Sequence, residues 1–127
     1  MTKLLLITAA GGLGSLLRYL IAGWGQRLAG PAFPLGTLIV NALGCLLIGL
    51  FAAALSGRIL IREEHRIALT VGLLGGFTTF SSFSLETLGL VNDGQVFRAV
   101  LNVVLNVGLG LTAVWLGYRS AEICLGV

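Results

Sequence analysis

The chain has 127 residues, of which 57% are hydrophobic and 10% are charged, and its mean hydropathy is +1.01. Soluble domains carry about 25% charged residues, so this composition excludes the soluble class and indicates a membrane protein in contact with a lipid bilayer. The formal net charge of +3 indicates no nucleic acid partner, because arginines that flank membrane helices account for it.

Four apolar stretches are each long enough to cross a hydrocarbon layer of about 30 Å as a helix. In chain order they are Leu4 to Trp24, Leu35 to Leu55, Ile67 to Val91 and Ala99 to Tyr118. They lack the alternation of barrel strands, and lipid offers the backbone no hydrogen-bond partners, so each is predicted to be a helix. The predicted fold class is an all-α membrane protein. Residues 1–127 form a single four-helix transmembrane domain with helices at about 3–28, 35–57, 64–91 and 95–123.

The basic residues give only a weak preference for one orientation in the membrane. With an even number of spans, both termini and the loop from Ser56 to Arg66 share one side. That side carries five basic residues and the other carries two: Lys3, Arg58, Arg62, Arg66 and Arg119 against Arg27 and Arg98. The excess places the termini in the cytoplasm. Glu63 and Glu64 weaken it, so dual topology, the insertion of copies in both orientations, stays open.

Small residues four positions apart predict close contacts between helices. Such pairs are Ala10 and Gly14, Gly11 and Ser15, and Gly72 and Gly76. They let helix backbones approach each other where lipid cancels the hydrophobic driving force. Packing within one chain is one reading. However, four closely packed helices enclose no lumen, so a transport path would have to follow an interface between subunits. The sequence thus also favours a two-fold homodimer, whose axis lies in the membrane plane if the copies are antiparallel.

The centre of the third span contains a predicted break in the helix. Gly75 and Gly76, followed by Thr78 and Thr79, favour unwinding near 75–79. Irregular backbone at this depth is tolerated where it is buried in protein or lines a cavity. Carbonyls released from the helix are oxygen ligands, and two breaks that meet on a dimer axis would suit a small cation such as Na⁺. A kink relieved by the threonine hydroxyls alone is the alternative.

Neutral donors and aromatic edges are predicted to form a track for a small hydrated anion. Phe80 and Phe83 share a helical face, and a phenyl edge is electropositive. Hydroxyl and amide donors accompany them along the third span and on the second and fourth: Ser81, Ser84, Thr37, Asn41, Asn102 and Asn106. The alternative for each polar residue is a hydrogen bond between helices, worth about 0.6 kcal/mol.

Two ionisable residues lie within the spans. Arg18 lies six residues before Trp24, so it is either an anchor at the interface or a group that attracts anions into a vestibule. Glu86 follows Phe80 towards the turn at Asn92. A carboxylate there repels anions unless it is protonated or paired, so Glu86 is either a proton-linked gate or the partner of a nearby donor.

Three motifs resemble those of a known membrane protein family. "GGLGSLLRY" (Gly11 to Tyr19), "GTLIVN" (Gly36 to Asn41) and "GLLGGFTTFSSFSLET" (Gly72 to Thr87) are similar, in order and spacing, to the Fluc (CrcB) family of fluoride channels. The resemblance implies that the protein is a channel and not an enzyme. It also implies an antiparallel, dual-topology homodimer in the inner cell membrane. It also implies two pores, a structural Na⁺ at the dimer centre, and passive export of fluoride ion from the cytoplasm.

The same resemblance assigns roles to particular residues. The Na⁺ carbonyls fall on Gly75 and Thr78, the pore phenylalanines on Phe80 and Phe83, and the pore asparagine on Asn41. Ser81 matches the serine of the polar track, and Glu86 matches the glutamate that follows it. The chain departs from the family in two places. Ser82 replaces a frequent threonine, and the fourth helix has Asn106 and Gly110 where some members have serines.

Two other function classes fit a chain of this shape. Small multidrug exporters are also four-helix dual-topology dimers, but they use a carboxylate in the first helix, where this chain has Arg18 and no acid. A non-conducting accessory subunit is the other class, and the intact polar set of Asn41, Phe80, Ser81 and Phe83 argues against it.

Overall fold

The computed structural model describes residues 1–56 and 61–126 and is all-helical. Within these residues it has four helical segments long and apolar enough to cross a membrane: Thr2–Ala32, Leu35–Leu55, Glu63–Asn92 and Val96–Leu125. The predicted fold class, an all-α membrane protein with four spanning helices, is thus confirmed. Helix α1 covers Thr2–Ala29, and a short 3₁₀ turn, Gly30–Ala32, follows it. Helix α2 covers Leu35–Ser56. Residue 57, the predicted end of that helix, and Arg58 lie outside the described residues.

The third span consists of several helical pieces. Helix α3 (Glu63–Ile67) continues as a π-helical stretch (Ala68–Leu74) and then as the single turn α4 (Gly75–Phe77). Thr78 and Thr79 then adopt extended backbone, with φ/ψ of −79°/157° and −150°/113°. Helix α5 resumes at Phe80–Asn92, and α6 covers Val96–Leu125. The predicted break therefore exists, at the C-terminal edge of the predicted range.

Gly75 and Gly76 remain helical, although the sequence suggested that they unwind. Gly76 has a packing role instead, because a Cβ atom there would lie 2.5 Å from the Gly11 carbonyl oxygen of α1. A methyl at Gly72 would lie 2.9 Å from the Ile7 carbonyl oxygen. The small residues of the third span thus let α1 pack directly against its backbone just before the break.

Helices α2 and α6 form another close pair, through one glycine on each helix. A Cβ atom on Gly49 would collide with the Val114 carbonyl of α6, and one on Gly117 would collide with the Leu46 carbonyl of α2. These contacts hold α6 against α2. The wall that α2 and α6 form then faces the break in the third span.

The outer surface of the single chain is strongly apolar. Large side chains such as Leu5, Leu20, Val104 and Leu111 are more than half exposed. In a chain with four spanning helices this is the surface that lipid or another protein covers. Buried positions hold Val40, Phe77 and, among polar groups, Asn102, which is 0% exposed.

Candidate functional site

The break in the third span is held open by the side chain of Asn41 on α2. The Thr79 N–H donates to Asn41 Oδ1 at 2.9 Å, and Asn41 Nδ2 donates to the Thr79 carbonyl oxygen at 3.1 Å. One carboxamide therefore satisfies both backbone groups of the extended residue, as a neighbouring strand would. Without such a partner, these groups would be unpaired in a region that lipid surrounds.

The Thr79 hydroxyl caps the helix that starts after the break. It accepts a hydrogen bond from the Ser82 N–H at 3.2 Å, as N-cap threonines commonly do. It also donates to the Ser82 hydroxyl at 3.0 Å. The helix thus restarts at Phe80 because Thr79 has both a backbone partner on α2 and a side chain that caps the first turn.

Two carbonyls lose their usual helical donors at the break. In an α-helix the Gly75 carbonyl would accept from the Thr79 N–H, and the Thr78 carbonyl from the Ser82 N–H. Here the first N–H donates to Asn41, and the second donates to the Thr79 hydroxyl. The N–H groups that would pair with the Gly75 and Thr78 carbonyls in a helix therefore donate elsewhere, and these are the two carbonyls to which the family resemblance assigns a cation.

A cavity of about 370 Å³, the break cavity, adjoins the break. Its walls come from α2, the third span and α6. They include most of the predicted pore and cation residues: Asn41, Gly75, Thr78, Phe80, Phe83 and Asn106. Thr70, Thr79, Cys45 and several apolar residues complete the lining. The fold thus gathers three distant parts of the sequence around the break.

The two phenylalanines are neighbours but differ in exposure. Their ring centroids are 5.3 Å apart and the rings are tilted by 56°. Phe83 is 8% exposed, whereas Phe80 is 79% exposed. Phe83 belongs to the interior of this chain, and Phe80 projects beyond it.

A second cavity of about 430 Å³, the arginine cavity, lies on the other side of Thr79. It gathers both charged candidates, Arg18 and Glu86, and one hydroxyl candidate, Thr37, with Ser82 and Gln26. The Thr37 hydroxyl donates to Glu86 Oε1 at 2.6 Å and so links α2 to α5. Glu86 Oε2 is buried and accepts no hydrogen bond from the part of the chain that the structure describes.

Ser81 and Ser84 stand in the lining of neither cavity. Both are exposed on the α5 surface that also carries Phe80. The Ser84 hydroxyl donates to the Phe80 carbonyl at 2.9 Å, and the Ser81 hydroxyl lies 3.3 Å from that of Thr79. In the single chain these serines border an open surface, so the structure separates the predicted track into cavity residues and surface residues.

The contacts of several polar residues in and near the site were not predicted from the sequence. Gln26 closes the α1–α2 connection by donating to the Gly30 and Phe33 carbonyls at 2.6 and 2.9 Å. Thr87 accepts a hydrogen bond from Asn102 at 2.9 Å. The capping role of Thr79 was not predicted, although a threonine before a helical stretch is a signal for it. The contacts of Gln26 with Phe33 and of Thr87 with Asn102 join residues 7 and 15 positions apart, and no local sequence pattern predicts them.

Comparisons with known proteins place the chain in a family. The model of the family described as CrcB-like protein, Camphor Resistance (CrcB), matches residues 5–118. A protein of Geobacter sulfurreducens named fluoride-specific ion channel FluC is 50% identical over 122 residues, which are 96% of this chain and 98% of that protein. Proteins with the same name from Rhizobium leguminosarum and Nitratidesulfovibrio vulgaris are each 46% identical, over 92% and 97% of this chain and 94% and 99% of their own lengths. The chain is therefore a member of the CrcB family and a multi-pass membrane protein.

Proposed function

We propose that this protein is a fluoride-selective ion channel. The observation that carries the proposal is the break cavity, where the Asn41 and Asn106 amides and the Phe80 and Phe83 rings meet beside the break. The names of the similar proteins support the same conclusion. The wall presents uncharged donors and apolar edges rather than fixed cations, which suits an anion that must both enter and leave.

The chemistry of the wall favours fluoride over chloride. Fluoride is small and strongly hydrated, so amide and hydroxyl donors must replace its water shell, and phenyl edges can approach it closely. Chloride is larger and less strongly hydrated, so the same donors and ring edges favour it less. The flux is passive, and an inside-negative membrane potential, worth about 2.3 kcal/mol per charge at 100 mV, drives anions out of the cytoplasm.

Anion efflux from liposomes that contain the purified protein alone tests this function. Release of fluoride with little release of chloride from matched vesicles is the expected result. Comparable fluxes of both anions would refute the selectivity, and the absence of fluoride flux would refute the channel. A multidrug-type exporter or a non-conducting accessory subunit would give that second result, so the same measurement addresses both alternative functions.

We also propose that the functional unit is an antiparallel homodimer with two pores. Phe80 is 79% exposed and Gly75 is exposed beside the break cavity, so this wall is completed only by another molecule. A second copy offers the same surface in complementary orientation if the two-fold axis lies in the membrane plane. The weak basic asymmetry of the loops supports insertion in both directions.

Labelling a single cysteine tests the dual orientation. Asp93 is exposed in the turn after α5, so Asp93→Cys in a background without Cys45 and Cys124 places one reactive thiol at one end of the molecule. A membrane-impermeant reagent is expected to label the variant from both faces of the cell membrane. Labelling from one face alone would contradict dual topology. A cysteine-free protein measures the background.

The residues at the break fit a structural Na⁺. The carbonyls of Gly75 and Thr78 have lost the N–H groups that would pair with them in a helix. Hard oxygen ligands of this kind suit an alkali cation, and its positive charge would also lower the cost of bringing an anion to this depth. In the proposed dimer, the same carbonyls of both copies would hold it.

Removal of sodium checks this assignment. Replacing Na⁺ by choline throughout purification is expected to lower both the unfolding midpoint of the dimer and its fluoride flux, and added Na⁺ is expected to restore them. Restoration by equimolar K⁺ to the same degree would argue against a selective site. Unchanged midpoint and flux in choline would contradict a structural Na⁺.

A further inference from the structure

A directional chain of hydrogen bonds runs behind the wall of the break cavity. Asn41 Nδ2 donates to Asn106 Oδ1 at 3.0 Å, and Asn106 Nδ2 donates to Asn102 Oδ1 at 2.9 Å. Asn102 Nδ2 donates to the Thr87 hydroxyl at 2.9 Å, and this hydroxyl donates to the Phe83 carbonyl at 2.7 Å. The chain therefore joins α2, α6 and α5, and it ends on the backbone of a phenylalanine that lines the cavity.

The break determines the direction of every amide in this chain. The Thr79 N–H requires an oxygen and its carbonyl requires an N–H, so only one orientation of the Asn41 carboxamide satisfies both. The second N–H of Asn41 then faces Asn106, which must present its oxygen. Asn106 in turn presents its N–H groups to the carbonyl and side-chain oxygens of Asn102. A flip of the Asn106 amide, for example, would set donor against donor at Asn41 and acceptor against acceptor at Asn102.

The far end of the chain does not touch the cavity. Asn41 and Asn106 line the break cavity, whereas Asn102 and Thr87 are absent from its described lining. Asn102 is 0% exposed, and a buried carboxamide is costly unless it is hydrogen-bonded. Among the described residues, the Asn106 amide links Asn41 to the buried Asn102 and, through it, to the half-buried Thr87.

We propose that Asn102 and Thr87 are positioning residues for the fluoride passage. Thr87 fixes the Asn102 carboxamide, which fixes the Asn106 amide and, through it, the second N–H of Asn41. This N–H donates to the Asn106 oxygen, and an entering anion would replace that oxygen as its acceptor. The inference rests on the proposed channel function, since it concerns the donors that face the anion.

The test uses full-length variants in liposomes, with fluoride efflux as the measurement. Thr87→Val keeps the size of the side chain but removes the hydroxyl, and a loss of flux of about tenfold is expected, the factor for one hydrogen bond in a buried network. Thr87→Ser restores the hydroxyl and is expected to restore the flux. Thr8→Val is the matched control, since the Thr8 hydroxyl also donates to the carbonyl four residues earlier, at 2.9 Å, but far from the chain of amides.

A double-mutant cycle distinguishes positioning from general stability. If Thr87 acts through Asn106, then Thr87→Val should change the flux of an Asn106→Leu protein by less than twofold, whereas independent effects would multiply. Equal fluxes of Thr87→Val and Thr8→Val proteins, beside a conducting wild type, would overturn the inference. Effects of Thr87→Val and Asn106→Leu on flux that multiply in the double variant would also overturn it. The same holds if neither the Thr87→Val nor the Thr87→Ala protein purifies as the wild-type assembly does. A wild type that does not conduct would instead refute the proposed function.

Discussion

Asn41→Asp is expected to abolish fluoride flux, with a loss of roughly a thousandfold. The substitution places a carboxylate oxygen where Nδ2 donates to the Thr79 carbonyl at 3.1 Å and to Asn106 Oδ1 at 3.0 Å. Two hydrogen bonds thereby become contacts between oxygens. The new charge also repels an anion about 4 Å away by about 4 kcal/mol at an effective dielectric near 20, which corresponds to that factor in rate.

The measurement is initial fluoride efflux per reconstituted molecule, together with the elution volume of the purified protein. Gln95→Glu is the matched control, since it exchanges the same groups at the start of α6, where Gln95 pairs with Arg98 on the surface. Asn41→Leu removes the amide without adding charge, so its flux isolates the repulsive part. An Asn41→Asp protein that elutes as the wild type and conducts within tenfold of it would contradict a role of Asn41 beside the anion.

The sequence predicts the elements of this fold well because membrane helices obey a simple rule. Each span must pair its own backbone, so length and hydropathy are sufficient to locate it. The break near Thr78 and Thr79 was also predictable, since hydroxyls and glycines interrupt an otherwise apolar run. Its position was shifted, because Gly75 and Gly76 remain helical and let α1 approach. A sequence motif alone does not distinguish a glycine that unwinds a helix from a glycine that packs one.

The pairing of polar side chains was much less predictable. Asn41 was expected to offer its amide to an anion, but both of its N–H groups have partners within the protein. Thr37 and Asn41 are one turn apart on α2, yet Thr37 lines the arginine cavity and Asn41 lines the break cavity. Which cavity a residue faces depends on the rotation of each helix against its neighbours. No short stretch of sequence contains that information.

Gly14→Ala is expected to destabilise the protein, whereas Gly12→Ala on the same helix is expected to be neutral or slightly stabilising. A Cβ atom on Gly14 would collide with the Leu73 carbonyl and lie 2.9 Å from the Phe77 nitrogen, and both are rigid backbone. Gly12 has no atom of the described structure within 4 Å of such a Cβ. At both positions alanine favours the helix over glycine by up to about 1 kcal/mol. The Gly14→Ala protein is therefore less stable than wild type only if the collision costs more than this gain.

Overpacking of this kind costs roughly 1–3 kcal/mol or more, because α1 must move away from the third span. The Gly14→Ala change should therefore lower the unfolding midpoint in detergent, measured beside Gly12→Ala and wild type at equal protein concentration. It should also reduce fluoride flux by more than tenfold in the molecules that remain folded, since Leu73 and Phe77 lead directly into the break at Thr78. Equal midpoints for the two alanine variants would show that α1 does not pack through Gly14. A lowered midpoint with unchanged flux per folded molecule would separate this helix contact from the geometry of the passage.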